Sequence, residues 1–260
     1  MPKAVFFDID GTLWDRHNNI PESAKESIRT IRRNGHLAFI DSGRTRGYIT
    51  DPGLLSIGFD GIVSGCGTML EYRGETIFRH LIDRDLAART IKLVRGYGMR
   101  PILEGPEYLY MEEREFGNDP YGRKLFKELG DRRVSIDDNE GKWDICKLSC
   151  ATEGCDIEAC YGELKEEFDF IIHSRSVVEM VPRGFGKGKG LIRMAEAAGI
   201  SVSDTIAIGD SVNDIDMFQT AGLSIAMGNG SDSAKDIADK VTTPMTEDGI
   251  RNALMDCGLM

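Results

Sequence analysis

The chain has 260 residues, 41% hydrophobic and 29% charged, with a formal net charge of −11. That length accommodates a core domain with a smaller partner, and the composition is that of a water-soluble globular protein. An acidic surface repels nucleic-acid phosphates and anionic lipid, so neither is expected as a partner, and no apolar run reaches the roughly 20 residues of a membrane span.

Lys3 is followed at once by Ala4-Val5-Phe6-Phe7 and then acids. This apolar stretch is too short for a secretory signal, so the expected compartment is the cytoplasm and the expected assembly a monomer or small homo-oligomer. Residues 4–7 read as a strand buried on both faces of a parallel sheet. Pro21 opens a helix whose stripe is Ala24, Ile28 and Ile31, and Asn34-Gly35 closes it. Residues 37–40 form the next strand, and the right-handed crossover of a βαβ unit makes it parallel to the first.

From about 83 to 181 the pattern changes, with more polar and aromatic residues. Helices are predicted over 86–97 and 156–168, the latter with Ile157, Cys160, Tyr161, Leu164 and Phe168 on one face. Strands are predicted at 100–103, 108–112, 144–149, 169–173 and 177–181. The earlier grammar then returns: a helix over 189–199 and strands at 205–208, 223–227 and 241–243. The expected fold class is α/β, a Rossmann-like parallel-sheet core from 1–82 and 182–260 with an inserted α/β domain over 83–181.

Four of the six cysteines (Cys66, Cys146, Cys150, Cys155, Cys160 and Cys257) fall between 146 and 160. They contain no C-x2-C pair and no nearby histidine, so buried reduced thiols are expected rather than a zinc site.

Four loops carry the chemistry-bearing residues. Asp8-Ile9-Asp10-Gly11-Thr12-Leu13 follows the first strand, at the carboxyl edge where open α/β sheets bind ligands. Strand alternation sends Asp8 and Asp10 to one side, near enough to share a metal or divide a proton; an acidic strand end turning into a loop would look similar. Asp41-Ser42-Gly43-Arg44 offers a hydroxyl, an open backbone N–H and a planar cation, and it equally suits a helix N-cap. Gly184-Phe185-Gly186-Lys187-Gly188-Lys189-Gly190 resembles a phosphate-binding loop without the Walker ending, and also a flexible hinge. A lysine beside a helix N-terminus is electrostatically costly unless an anion offsets it. Gly209-Asp210-Ser211-Val212-Asn213-Asp214 places two carboxylates on one side of a helix start, a hard-oxygen set suited to Mg²⁺.

These four segments, in this order, resemble the four motifs of the haloacid dehalogenase (HAD) superfamily of phosphatases. The insertion, the DSGR loop and the closing Ala226-Met227-Gly228-Asn229-Gly230 are similar to the Cof-type subgroup with a large α/β cap. The resemblance implies a Mg²⁺-dependent phosphatase of small phosphorylated metabolites, with sugar phosphates favoured. It makes Asp8 the nucleophile, Asp10 the general acid and base, Ser42 and the Gly43 N–H holders of the phosphoryl oxygens, and Lys187 the neutralising cation. Arg44 and Asn213 join the substrate site. Asp8, Asp10 through its carbonyl, Asp210 and Asp214 form the metal set, with Asn213 and Asp214 in support. Tyr110, Glu112 and Arg175 are candidates for reading the leaving group, each also suiting a strand surface.

Two positions depart from the family pattern: Asp41 stands where a small residue is usual, and Ser64-Gly65-Cys66 where Asn-Gly-Ala is common. A phosphomutase or phosphotransferase would use the same aspartyl-phosphate. A phospho-aspartate receiver module is opposed by Asp10 and by the long insertion, and a binding protein without activity by the full set of expected catalytic side chains.

Overall fold

The computed structural model describes residues 1–117, 119–174 and 176–260. The chain divides into two compact units, one of Met1–Gly43, Thr50–Arg79 and Gly186–Met260, the other of Arg44–Ile49 and His80–Phe185. It begins with β1 (Ala4–Phe7), α1 (Glu22–Arg33), β2 (Leu37–Asp41), β3 (Gly61–Ser64), β4 (Met69–Tyr72) and β5 (Glu75–Arg79). The second unit supplies α2 (Arg84–Gly96), β6 (Arg100–Glu104), β7 (Leu109–Tyr110), α3 (Pro120–Leu129) and β8 (Arg133–Val134). It continues with β9 (Lys147–Ala151), α4 (Ile157–Leu164), β10 (Phe168–Ser174) and β11 (Val177–Pro182). The chain returns to the first unit with α5 (Lys187–Ala198), β12 (Thr205–Gly209), α6 (Ile215–Thr220), β13 (Leu223–Ala226), β14 (Lys240–Val241) and α7 (Gly249–Asp256).

The first unit holds an eight-stranded sheet in the order β14-β13-β12-β1-β2-β3-β4-β5. β1 lies between β2 and β12, parallel to both, with Phe7 paired to Ile40 and to Ile208. A central strand covered on both faces has no place for polar residues, and all four β1 side chains are fully buried. On one face Phe6 and Phe39 stack at 4.9 Å and pack with Leu191 and Met194 of α5. α1 buries Ala24, Ile28 and Ile31, the stripe expected from its spacing, and starts directly after Pro21. Gly35 has φ +88°, which lets the chain leave the helix and enter β2.

β3, β4 and β5 form an antiparallel meander that hydrophobic periodicity does not announce. β5 is largely exposed, so its sequence, Glu75-Thr76-Ile77-Phe78-Arg79, has no apolar face to reveal it.

The second unit is built on a six-stranded sheet, order β10-β11-β9-β6-β7-β8. One face carries Leu103, Leu148, Cys150, Val178 and Met180 against Ala87, Ile91 and Val94 of α2 and Cys160 and Leu164 of α4. On the other, Ile102 and Ala151 pack against Leu125 and Leu129 of α3. That second face also holds a buried ion triad: Lys147 Nζ lies 3.2 Å from Glu104 and 3.1 Å from Glu179, and its side chain is 1% exposed. The Glu104 carboxyl is raised above the usual range by burial, against the pull of Lys147.

Three sequence expectations shift here, and one is the strand expected over 144–149, which is Lys147–Ala151. The helix expected over 156–168 ends at Leu164, because Phe168 opens β10 by pairing with Pro182 of β11; its ring is buried in the same core. The strand expected over 108–112 is only Leu109–Tyr110, since Glu113 already starts a helical turn.

Candidate active site

Asp8 stands one residue beyond β1, its N–H donating to Ile208 O at 2.9 Å. The chain then doubles back tightly: Leu13 N and Trp14 N both donate to Ile9 O, and Gly11 N donates to Trp14 O at 3.0 Å. Gly11 has φ +88°, and a Cβ there would fall 2.3 Å from Asp210 Oδ2. Only glycine lets this loop lie against the Asp210 carboxylate. Thr12 Oγ1 donates to Asp210 Oδ1 at 3.0 Å, and Asn229 Nδ2 donates to Gly11 O at 2.8 Å. Asn229 Oδ1 accepts from Met245 N, so one amide ties the loop to the C-terminal segment.

Lys187 is the first residue of α5, 1% exposed. Its Nζ donates to Asp8 Oδ1 at 2.5 Å, Asp214 Oδ1 at 2.6 Å and, more weakly, Asn213 Oδ1 at 3.4 Å. Burial alone would lower its pKa, but the carboxylates of Asp214, Asp8 and Asp41 more than reverse this and hold the ammonium charged. The same contacts offset the cost of a lysine at a helix start.

Asp214 is wholly buried, and its other oxygen accepts from the N–H groups of Asp210 and Ser211, each at 2.9 Å. Ser211, not Asp210, is the residue that caps this turn, in a reciprocal capping box with Asp214. That leaves Asp210 to face Thr12 and the Asp8 loop. Burial, and then the Asp214 charge, push Asp210 up to about 7. Asp8 is raised well above the carboxylate range by burial, against the pull of Lys187, with Asp214 and Asp210 pushing the same way.

One carboxylate oxygen from each of Asp8, Asp210 and Asp214 lies within 4.8 Å of the others. Three hard oxygen donors gathered this closely form a set that fits a divalent cation such as Mg²⁺.

The glycine run at the start of α5 has a packing cause. A Cβ at Gly186 would lie 2.3 Å from Asp216 Oδ2, one at Gly188 2.5 Å from Asp216 O, and one at Gly190 2.3 Å from Val63 Cγ1. α5 therefore sits tight against α6 and β3, which seats Lys187 deep enough to reach Asp8. Asp216, which sequence reasoning missed, accepts from Gly188 N at 2.9 Å and secures that first turn.

Beyond β2, Ser42 N donates to Val63 O and Ser42 O accepts from Cys66 N. Ser42 is buried and does not cap the following turn, which starts after Thr45. The register of β1 with β2 sets Asp41 on the rung beside Asp8. Asp41 is fully buried, neither carboxylate oxygen has a hydrogen-bond partner among the described residues, and burial raises its pKa well above the usual range. Gly43 closes its stretch of the first unit, whereas Arg44 belongs to the second, its guanidinium 4.0 Å over the Tyr48 ring.

The structure thus brings together Asp8, Lys187, Asp210, Asn213 and Asp214, with Asp10 two residues along the same loop. Of the residues considered for reading a leaving group, Tyr110 is buried with its hydroxyl accepting from Asp144 N, and Glu112 accepts from Ser135 Oγ and Asp137 N. Both are tied up inside the second unit. Arg175 lies outside the described residues.

An acidic cluster bridged by a buried lysine, at the carboxyl edge of a parallel α/β sheet, is the arrangement of a hydrolase that handles anionic groups. Residues 5–254 match the family described as haloacid dehalogenase-like hydrolase, and the chain belongs to that family. It is 30% identical to the putative phosphatase YkrA of Bacillus subtilis over 260 residues, covering 99% of this chain and 98% of the relative. It is 29% identical to a phosphoglycolate phosphatase of Archaeoglobus fulgidus, covering 100% and 98% of the two chains. The solved structure of BT1666 from Bacteroides thetaiotaomicron, described among phosphatases of this superfamily, shares the fold with a TM-score of 0.85 at 23% identity, covering 100% of this chain and 96% of that one. The protein is accordingly a HAD-type phosphatase, a parallel-sheet core with an α/β cap. Among the described residues no helix is long and apolar enough to cross a membrane.

Proposed function

We propose that the protein hydrolyses small phosphorylated metabolites, sugar phosphates first, through a phosphoryl group carried transiently on Asp8 and with Mg²⁺ as cofactor. The observation that carries this reading is the Lys187 ammonium 2.5 Å from Asp8 Oδ1, with Asp214 fixing the same ammonium from the other side. A buried lysine spanning two carboxylates opposes the effect of burial on Asp8 and fixes its oxygen as the attacking group. Bound Mg²⁺ would supply Lewis-acid charge to the transferring phosphoryl group, held by Asp8 and Asp210 and the Asp10 carbonyl. Both Asp214 oxygens already serve Lys187 and backbone N–H groups, which favours a supporting role outside the ligand set.

In the first step an Asp8 oxygen attacks phosphorus while the ester P–O bond breaks. The electron pair passes to the leaving oxygen, which takes its proton from Asp10. In the second, water attacks the same phosphorus and gives its proton to the Asp10 carboxylate. The P–O bond to Asp8 breaks, releasing inorganic phosphate and restoring the Asp8 carboxylate. Ser42 and the Gly43 N–H hold the non-bridging oxygens, with Asn213 completing the phosphate contacts.

The test is phosphate release from a panel of sugar phosphates, phosphoglycolate, nucleotides and vitamin phosphates, with Mg²⁺, with chelator and with Asp8→Asn. Mg²⁺-dependent turnover abolished by Asp8→Asn is the expected result. Turnover that survives in Asp8→Asn removes the aspartyl-phosphate, and phosphoryl transfer to a second metabolite without phosphate release identifies a phosphotransferase.

A further inference from the structure

Trp14 is 2% exposed, while Asp10, four residues earlier, is exposed. The indole Nε1–H donates to Asp10 Oδ1 at 3.1 Å, and the two residues also form a backbone bridge. The donor is rigidly mounted, because Trp14 N donates to Ile9 O and Trp14 O accepts from Gly11 N. A buried ring thus holds one oxygen of an exposed carboxyl at a strand end.

An indole N–H can only donate, so the oxygen it holds must remain an acceptor whether Asp10 is ionised or protonated. The carbonyl oxygen of a protonated carboxyl is the better acceptor, so the indole N–H favours placing the acid proton on the other oxygen. We propose that Trp14 is a positioning residue for the reaction, aiming the proton-bearing oxygen of Asp10 at the oxygen that links phosphorus to the leaving group. The inference rests on the reading of Asp10 as the general acid. General-acid catalysis requires the donor within hydrogen-bond reach of its target, and its contribution grows as the leaving group becomes more basic. Trp14 therefore governs the departure of alkoxides and matters little for a nitrophenolate, which leaves without a proton.

The test compares kcat/KM, which covers steps through the first P–O cleavage, for 4-nitrophenyl phosphate and for an alkyl phosphate substrate of the wild type. Trp14→Phe removes the N–H. Benzothienylalanine placed at position 14, with sulfur in place of the N–H, does so while keeping the shape of the indole and guards against a folding defect. In both variants kcat/KM for the alkyl ester is expected to fall about 10- to 100-fold, and that for the aryl ester to stay within about threefold. An equal fall on both esters, or no fall on either, overturns the role of Trp14 and leaves the phosphatase reading intact. No Mg²⁺-dependent turnover of either ester by the wild type overturns both together.

Discussion

Lys187 Nζ lies 2.6 Å from Asp214 Oδ1, and neither side chain has measurable exposure. The pair joins the start of α5 to the loop after β12 and also reaches Asp8. Replacing Lys187 with Met leaves two carboxylates buried without their cation. In metal-free buffer Lys187→Met is expected to lose about 3–5 kcal/mol of stability, read from urea unfolding. Mg²⁺ should restore part of this, because a cation bound only to the folded state stabilises it. A variant as stable as the wild type without metal would mean that the acids share protons instead of relying on Lys187.

Gly11→Ala tests the approach of the Asp8 loop to Asp210. The new methyl would lie 2.3 Å from Asp210 Oδ2, at a backbone φ of +88°. Strain in that region costs roughly 1–2 kcal/mol, and displacing a ligand by about 1 Å can cost on the order of 100-fold in rate. The expected outcome is a folded protein with Mg²⁺ affinity and turnover both sharply reduced, measured by calorimetric titration and phosphate release. Unchanged Mg²⁺ affinity would remove Asp210 from the metal set.

In the second unit, Lys147 is the cation between Glu104 and Glu179 on adjacent strands. Lys147→Ala strands two buried carboxylates and is expected to cost about 3–5 kcal/mol. Replacing all three with apolar residues of similar size is expected to recover most of that loss. Urea unfolding of the two variants gives the comparison, and a triple variant less stable than Lys147→Ala would contradict it.

Asp41 poses the opposite case. Its two oxygens are fully buried without a hydrogen-bond partner among the described residues, so folding strips the carboxyl of water and returns only the more distant charge of Lys187. Asp41→Asn, of similar volume and uncharged, is expected to gain about 1–3 kcal/mol and a higher thermal midpoint at neutral pH. A fall in stability would show that the attraction between Asp41 and Lys187 outweighs the cost of burying the carboxyl.

The core of this protein is legible because its central strands are apolar throughout and each ends in a chemically loaded loop. Asp8 directly follows β1, and Gly209-Asp210 closes β12, so strand position alone brings these acids together. The lysine was legible as a type, but its depth was not; glycines packed against Asp216 and Val63 set that, and no local pattern reports such a contact. Trp14 carries no sequence signal of its role, because its bond to Asp10 depends on a reversal that spacing cannot show. Lys147 was hidden for a similar reason, since its partners lie on other strands. β5 was missed because an exposed edge strand carries no alternation.

His36 gives a pH dependence outside the active site. Its Nδ1 accepts from Lys3 N at 3.0 Å, tying the chain before β1 to the turn before β2. Burial lowers its pKa, with the N-terminal ammonium and Lys3 adding to the effect. A histidine depressed in the folded state is neutral there while the unfolded chain already takes up protons, so the unfolded state gains as pH falls. Its contribution is complete above the ordinary value of about 6.5 and is lost as pH drops through the window between that value and the lower folded one. His36→Gln keeps an acceptor and cannot titrate. The stability difference, wild type minus variant, is therefore expected to decrease between pH 7.5 and pH 5 in urea unfolding at fixed Mg²⁺. A difference that stays flat or grows over that range would show that protonated His36 is accommodated in the fold, and that the bond from Lys3 N is dispensable.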